Sequence, residues 1–133
     1  MSSGPTHAAA RPTHVLPTLP SILMLPVMLP PLIAGQEKAC FAVTEPNAGL
    51  NTTQLQTRAE RVGEHYVISG EKVWISTAQV AEKMLILART TPLEQCTRPT
   101  LGLSLFYTDL NRQYVDLREI DKMGRRAVDS NQV

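Results

Sequence analysis

The chain has 133 residues, a size for one ordinary domain, with 13 Lys and Arg against 12 Asp and Glu and a formal net charge of +1. That balance, without a basic stripe, argues against nucleic-acid binding. Cys40 and Cys96 are far apart and form no C-x-x-C, so there is no disulfide framework; a reduced, intracellular setting is the simpler expectation, with one disulfide left open. His7, His14 and His65 are scattered without ligand-like spacing, and no metal site is expected.

Residues 1–35 form a distinct segment. Arg11 is its one formally charged side chain, and it holds seven of the chain's ten prolines. The stretch "LPSILMLPVMLPPLIAG" is apolar, but its prolines recur every few residues, remove helix donors and clash with the preceding turn. No transmembrane span is expected, because a span needs about 20 apolar residues with intact backbone bonding. A secretory signal would lack its basic n-region, and a mitochondrial transit peptide would be poor in arginine. The expectation is a poorly ordered, proline-rich arm. A short helix over residues 29–34 is allowed, starting at the proline pair and ending at Gly35. The composition boundary near Gly35 divides the chain into an arm, 1–35, and a body, 36–133.

The body reads as strands almost throughout. "ACFAV" is a short buried strand, and "TQLQTRAER" alternates Leu55, Thr57 and Ala59 against Gln54, Gln56 and Arg58. "EHYVISGEKVWIS" reads as two strands around a Ser69-Gly70 turn. "KMLILART" is a near-continuous apolar run suited to a strand covered on both faces. "LGLSLFYTDL" alternates Leu101, Leu103, Leu105 and Tyr107 against Gly102, Ser104 and Phe106. "QYVDLREI" is a further strand candidate and "SNQV" the start of another, while "TAQVAEKML" carries a weak helical pattern. The fold class predicted is mainly β, a sandwich or barrel.

Two segments carry polar chemistry. In "CFAVTEPNAG", residues 40–49, a hydrophobic strand ends on a hydroxyl and a carboxylate, and proline follows. In "KVWIS" the chain's one tryptophan, Trp74, stands two residues before Ser76. Each segment has a commoner explanation, an ordinary strand end and a core tryptophan. Together they suit a flavin, whose ring has apolar faces and a polar edge. Thr44 and backbone groups can serve the edge, an aromatic residue can pack on the ring, and Gly49 allows close backbone approach.

"CFAVTEPNAG", "YVISGEKVWISTAQVAEKMLILART" and "IDKMGRRAVDSNQV", in this order and spacing, resemble the middle β-domain of the acyl-CoA dehydrogenases. "LPPLIAGQEKA" resembles the end of that family's N-terminal helical domain, so the likeness runs over residues 29–133. The resemblance implies an FAD-dependent enzyme that oxidises the Cα–Cβ bond of an acyl-CoA thioester, with hydride transfer to the flavin. It implies cofactor contacts at Phe41, Val43, Thr44, Gly49, Trp74, Ile75 and Ser76, and it assigns Glu45 to the flavin-side turn, not to catalysis. Leu50 stands where the family has a serine at the flavin–substrate junction, and a leucine offers no donor or acceptor there.

The resemblance further implies that the β-domain continues past Val133 into a helical bundle carrying the catalytic base. No residue here matches that base, and the chain alone is expected to be inactive. Acyl-CoA is the substrate implied, and a homo-oligomer the implied state of a full-length form. An intracellular site, mitochondrial or cytoplasmic, is expected. The alternative is a non-enzymatic remnant or interaction module that keeps the β-domain fold.

Overall fold

The computed structural model describes residues 15–17, 21–124 and 127–133. In chain order its elements are β1 (Val15–Pro17), α1 (Ser21–Ile33), β2 (Ala39–Ala42), β3 (Arg58–Val62), β4 (His65–Ser69), β5 (Lys83–Arg89), β6 (Leu103–Asp109), β7 (Arg118–Glu119) and β8 (Asn131–Gln132), with three short 3-10 turns between them. Mainly β was the expectation, and mainly β is the result.

β5 is the axis of the six-stranded sheet. Along one edge it pairs with β2, parallel, from Ala39↔Lys83 to Ala42↔Ile86, and then with β3 at Arg58↔Arg89. Along its other edge it pairs antiparallel with β6, from Lys83↔Asp109 to Arg89↔Leu103. β3 and β4 form a hairpin with β1 added outside β4, and β7 and β8 form a separate two-stranded sheet.

Alternation decides which face is core. Cys40, Ala42, Ala59, Ile68, Met84, Ile86 and Ala88 are buried on the inner face. Full burial of a side chain such as Met84 or Ile86 stabilises by about 1.5–3 kcal/mol. Tyr66 and Phe106 pack edge to face against this core, with ring centroids 5.0 Å apart and planes at 61°. The "TQLQTRAER" alternation is reproduced: Leu55, Thr57 and Ala59 are buried, and Gln54, Gln56 and Arg58 are exposed.

Other expectations changed on contact with the structure. The hairpin turn is not at Ser69-Gly70 but at Gly63, which opens the two-residue loop between Val62 and His65 with φ +62°. Gly70 has a different reason to be glycine: a Cβ there would lie 2.3 Å from Thr57 Oγ1. "KVWIS" is not a regular strand, and "TAQVAEKML" is turns followed by β5. β5 is covered fully on one face, while Leu85 and Leu87 on the other are only half-buried, because their neighbours Phe41 and Leu105 are themselves exposed. In β6 the leucine stripe is the outward one, and Phe106 and Thr108 take the core side. Of "QYVDLREI" only β7 is strand, and "SNQV" does supply its partner β8.

Within the arm, residues 1–14 and 18–20 lie outside the described residues. α1 begins eight residues before the short helix allowed at 29–34 and contains Pro26, Pro30 and Pro31. Beyond its end Gly35 takes φ +69°, and the Gln36 N–H closes back on the Pro31 carbonyl at 2.9 Å. No helix among the described residues is long and apolar enough to cross a membrane.

Candidate functional site

β2 ends at Ala42, and Val43 and Thr44 carry the chain out to a tight turn. Glu45 and Ala48 close that turn by exchanging backbone hydrogen bonds of 3.4 and 3.2 Å around Pro46-Asn47. Residues 72–76 lie alongside the exit: the Val73 N–H donates to the Thr44 carbonyl at 2.9 Å. Opposite, Lys72 exchanges backbone bonds with Val133 at 2.7 and 2.8 Å, and Ile75 with Asn131 at 2.9 Å each way. "KVWIS" is thus an extended ribbon held between the strand exit and the C-terminal residues.

Buried charge reinforces the same junction. Lys72 and Glu45 form an ion pair, Nζ to Oε1 2.9 Å, with side chains 2% and 5% exposed. Lys72 Nζ also donates to the Val43 carbonyl at 3.1 Å. The Glu45 carboxylate takes the backbone N–H groups of Gln56 at 2.6 Å and Thr57 at 2.9 Å, so the approach to β3 is tied in too. Burial works to raise the Glu45 pKa, but these donors and the Lys72 ammonium outweigh it and hold the carboxyl below its usual range. Burial also lowers the Lys72 pKa, partly offset by Glu45.

The ribbon then turns through strained backbone. Trp74 has φ +62° and Thr77 φ +70°, in the left-handed region, where a non-glycine residue costs about 1–3 kcal/mol. The surroundings fix both. The Asp129 carboxylate accepts the Thr77 N–H at 3.0 Å and the Gln79 N–H at 3.2 Å. Asn131, fully buried, donates its amide to the Ile75 carbonyl and to Asp129. The Arg112 guanidinium caps the carbonyls of Ala78, Gln79 and Ala81 at 2.9–3.2 Å. Burial tends to raise the Asp129 pKa, and its donors, led by the Asn131 amide, overcome this and lower it.

The residues expected to contact a cofactor are not placed alike. Thr44 and Val73 are hydrogen-bonded, which puts Thr44 next to the tryptophan ribbon. Trp74 is 58% exposed, and Phe41, on the outward face of β2, is 59% exposed. Val43 is half-buried and Ser76 exposed. Ile75 lies in the core, and both its backbone groups are used by Asn131, so neither its side chain nor its backbone polar groups are free. Gly49 and Leu50 sit in the exposed bend beyond the turn. No protein atom lies within 4 Å of a Cβ built on Gly49, so the fold itself does not demand glycine there. Cys40 and Cys96 are both free thiols, and burial pushes Cys40 up to about 11.

Sequence reasoning overlooked Lys72, Thr77, Asp129 and Asn131. Lys72 alone left a trace, as a charged residue beside the apolar Val73-Trp74-Ile75 run. A cleft of about 1260 Å³ opens on the inner side of the junction: Ile68, Met84, Ile86 and Thr108 of the inner sheet face line it with Glu45 and Lys72, and Phe41, Trp74 and Ser76 do not.

The chain is similar to known proteins in sequence and in fold. The family profile described as "Acyl-CoA dehydrogenase, middle domain" matches residues 40–133. The 2-methylacyl-CoA dehydrogenase, mitochondrial, of Solanum tuberosum is 31% identical over 103 residues, 77% of this chain and 24% of that protein. The short-chain specific acyl-CoA dehydrogenase of Clostridium acetobutylicum is 35% identical over 100 residues, 74% of this chain and 25% of that protein. Among solved structures, a glutaryl-CoA dehydrogenase from Mycobacterium smegmatis in complex with FADH2 superposes with a TM-score of 0.71 at 27% identity, covering 84% of this chain and 27% of that one. Butyryl-CoA dehydrogenase from Megasphaera elsdenii, at 24% identity and a TM-score of 0.75, shares the fold over 84% of this chain and 29% of its own. The chain therefore spans about a quarter of the length of the relatives it matches. The chain belongs to the acyl-CoA dehydrogenase family, and its residues 40–133 are that family's middle domain.

Proposed function

We propose that the body from about residue 36 is the flavin-holding part of an FAD-dependent dehydrogenase acting on an acyl-CoA thioester. The observation that carries this reading is the Val73–Thr44 hydrogen bond of 2.9 Å, which sets a strand-end hydroxyl residue beside an exposed, conformationally strained tryptophan. The donor set fits the cofactor. Phe41 and Trp74 offer apolar aromatic surface to solvent, which a flat ring would cover, and the hydroxyls of Thr44 and Ser76 can donate to or accept from a polar ring edge. Flavin, when bound, supplies the acceptor for the hydrogen that leaves the substrate's Cβ. The chain's own residues bind, orient and shield: Phe41, Val43 and Trp74 exclude water from one side, and Thr44 and Ser76 fix the edge. Ile75 supports this surface from within the core. Gly49 and Leu50 border it at the substrate side, where Leu50 provides no polar contact.

An acyl-CoA is the substrate class this reading implies, in a homo-oligomeric form of the protein. The free thiols suit a reducing compartment, mitochondrial or cytoplasmic. Binding of FAD by this chain should be weak. The loss of two or three hydrogen bonds at about 1 kcal/mol each costs on the order of ten- to a hundredfold in affinity. Titrating FAD against the chain by fluorescence quenching tests the reading. Trp74→Ala should abolish binding and Leu50→Ser should improve it. Binding indifferent to both substitutions would place the flavin elsewhere.

A further inference from the structure

We infer that Glu45 and Lys72 are positioning residues for the flavin, acting through the segments they join and not by touching the ring. The inference rests on the reading above for the identity of the ligand, but its geometry stands by itself. Three consecutive residues of the strand exit are tied to two consecutive residues of the ribbon. The Val43 carbonyl accepts from Lys72 Nζ at 3.1 Å, the Thr44 carbonyl accepts from the Val73 N–H at 2.9 Å, and Glu45 Oε1 meets Lys72 Nζ at 2.9 Å. The backbone bond between Thr44 and Val73 thus lies between two contacts made by a single ammonium group.

Both ends of this clamp are themselves held. Lys72 is locked by its paired backbone bonds to Val133, and the Glu45 carboxylate by the N–H groups of Gln56 and Thr57. Charge at this position has little solvent to fall back on, since both side chains are buried. The ammonium therefore keeps its two oxygen partners, and the separation between Thr44 and the residue after Val73 cannot drift. That residue is Trp74, with its left-handed backbone and its exposed indole. An unrestrained tryptophan would relax to negative φ. The clamp on one flank and the Ile75–Asn131 bridge on the other keep it where it is. A flavin packed on Trp74 and hydrogen-bonded at Thr44 would meet a surface whose two parts are already in register, which lowers the ordering cost of binding.

The test uses the full chain, in which Trp74 is the one tryptophan and so the one source of indole fluorescence. Compare wild type with Lys72→Met, Glu45→Gln, the double variant, and Ile68→Ala as a core variant destabilised on β4. Record urea unfolding, Trp74 anisotropy without ligand, and FAD affinity. Lys72→Met should be destabilised, lose Trp74 anisotropy and bind FAD at least tenfold more weakly. Glu45→Gln removes the charge but keeps one acceptor oxygen, so one of the Gln56 and Thr57 N–H groups stays partnered and the other faces the new amide NH2; it should fall between. The double variant removes both buried charges, so it should regain stability without regaining anisotropy or FAD affinity. Ile68→Ala should lose stability and keep its anisotropy. Recovery of anisotropy and affinity in step with stability in the double variant would overturn the inference, as would loss of anisotropy in Ile68→Ala. If Lys72→Met does not fold, Glu45→Gln against Ile68→Ala decides by anisotropy alone. Absence of FAD binding by wild type would sink the flavin reading and leave the anisotropy comparison to judge the clamp.

Discussion

Two lysines of this chain each meet a carboxylate. Lys72 and Glu45 are 2% and 5% exposed, and the pair is closed in by two backbone N–H donors and a carbonyl. Lys83 and Asp109 face each other across the β5–β6 ladder, 19% and 72% exposed, with Glu37 at 3.6 Å. The outer pair is the shorter, 2.5 Å against 2.9 Å, so distance does not rank them. Water does. The inner charges have given up hydration and depend on each other, whereas Asp109 keeps most of its solvent, which competes with Lys83. The inner pair also joins residues 27 apart in sequence at the junction proposed to hold a flavin.

The largest effect should follow from leaving one inner charge without its partner. Lys72→Met strands the Glu45 carboxylate in the core and should cost about 3–5 kcal/mol. Urea unfolding followed by circular dichroism measures it. Adding Glu45→Gln to the same chain should recover part of the loss, because it removes the stranded charge while one of the Gln56 and Thr57 N–H groups loses its acceptor. A loss under about 1 kcal/mol for the single variant would mean that water reaches Glu45 and that the two pairs are alike.

This contrast marks the limit of what the sequence disclosed. The strands were legible because burial has period two: Leu55, Thr57 and Ala59 announced their face, and β5 announced itself by its apolar run. The segments around Thr44 and Trp74 were recognisable as motifs. The left-handed backbone at Trp74 and Thr77 was not, since nothing in the residue types requires it; it arises from bonds to Asp129 and Asn131, more than fifty residues away. For the same reason Lys72 drew no notice within "KVWIS". Its meaning depends on Glu45, and pattern within a single window cannot see that pairing. Gly70 was noticed for the wrong reason: a turn was expected, and the actual cause is close contact with Thr57.

Acid should sharpen the comparison. The folded Glu45 carboxyl has a pKa below its ordinary 4.5, led against burial by the Gln56 and Thr57 donors and the Lys72 ammonium. Between the folded value and 4.5 the unfolded chain holds a proton that the folded chain does not, so the folded state loses ground as pH falls. The stabilisation is complete above 4.5 and disappears as pH drops through the folded value. Urea midpoints measured from pH 6 down to about pH 3 should therefore fall, and the fall should be shallower in Glu45→Gln. Equal slopes for the two chains would assign the acid sensitivity to other carboxylates. Lys72 carries the same sign at the opposite end: burial holds its pKa below 10.5, so between its folded value and 10.5 stability rises with pH.

The smallest effect belongs to the outer pair. The hydrogen bond to Asp109 raises the Lys83 pKa above 10.5. Its contribution is therefore complete below pH 10.5 and is lost as pH climbs through the folded value. With Asp109 largely in solvent, that contribution is worth about 0–1 kcal/mol at neutral pH. Lys83→Ala should shift the urea midpoint by no more than this, and the shift should shrink further in 1 M salt, where the screening length falls to about 3 Å. The Lys72→Met loss, arising between buried groups, should barely respond to the same salt. A Lys83→Ala loss of several kcal/mol that survives high salt would break the distinction, because it would show an exposed pair behaving as a buried one. That outcome would require the outward face of β5, with its half-buried Leu85 and Leu87, to be shielded from water in solution.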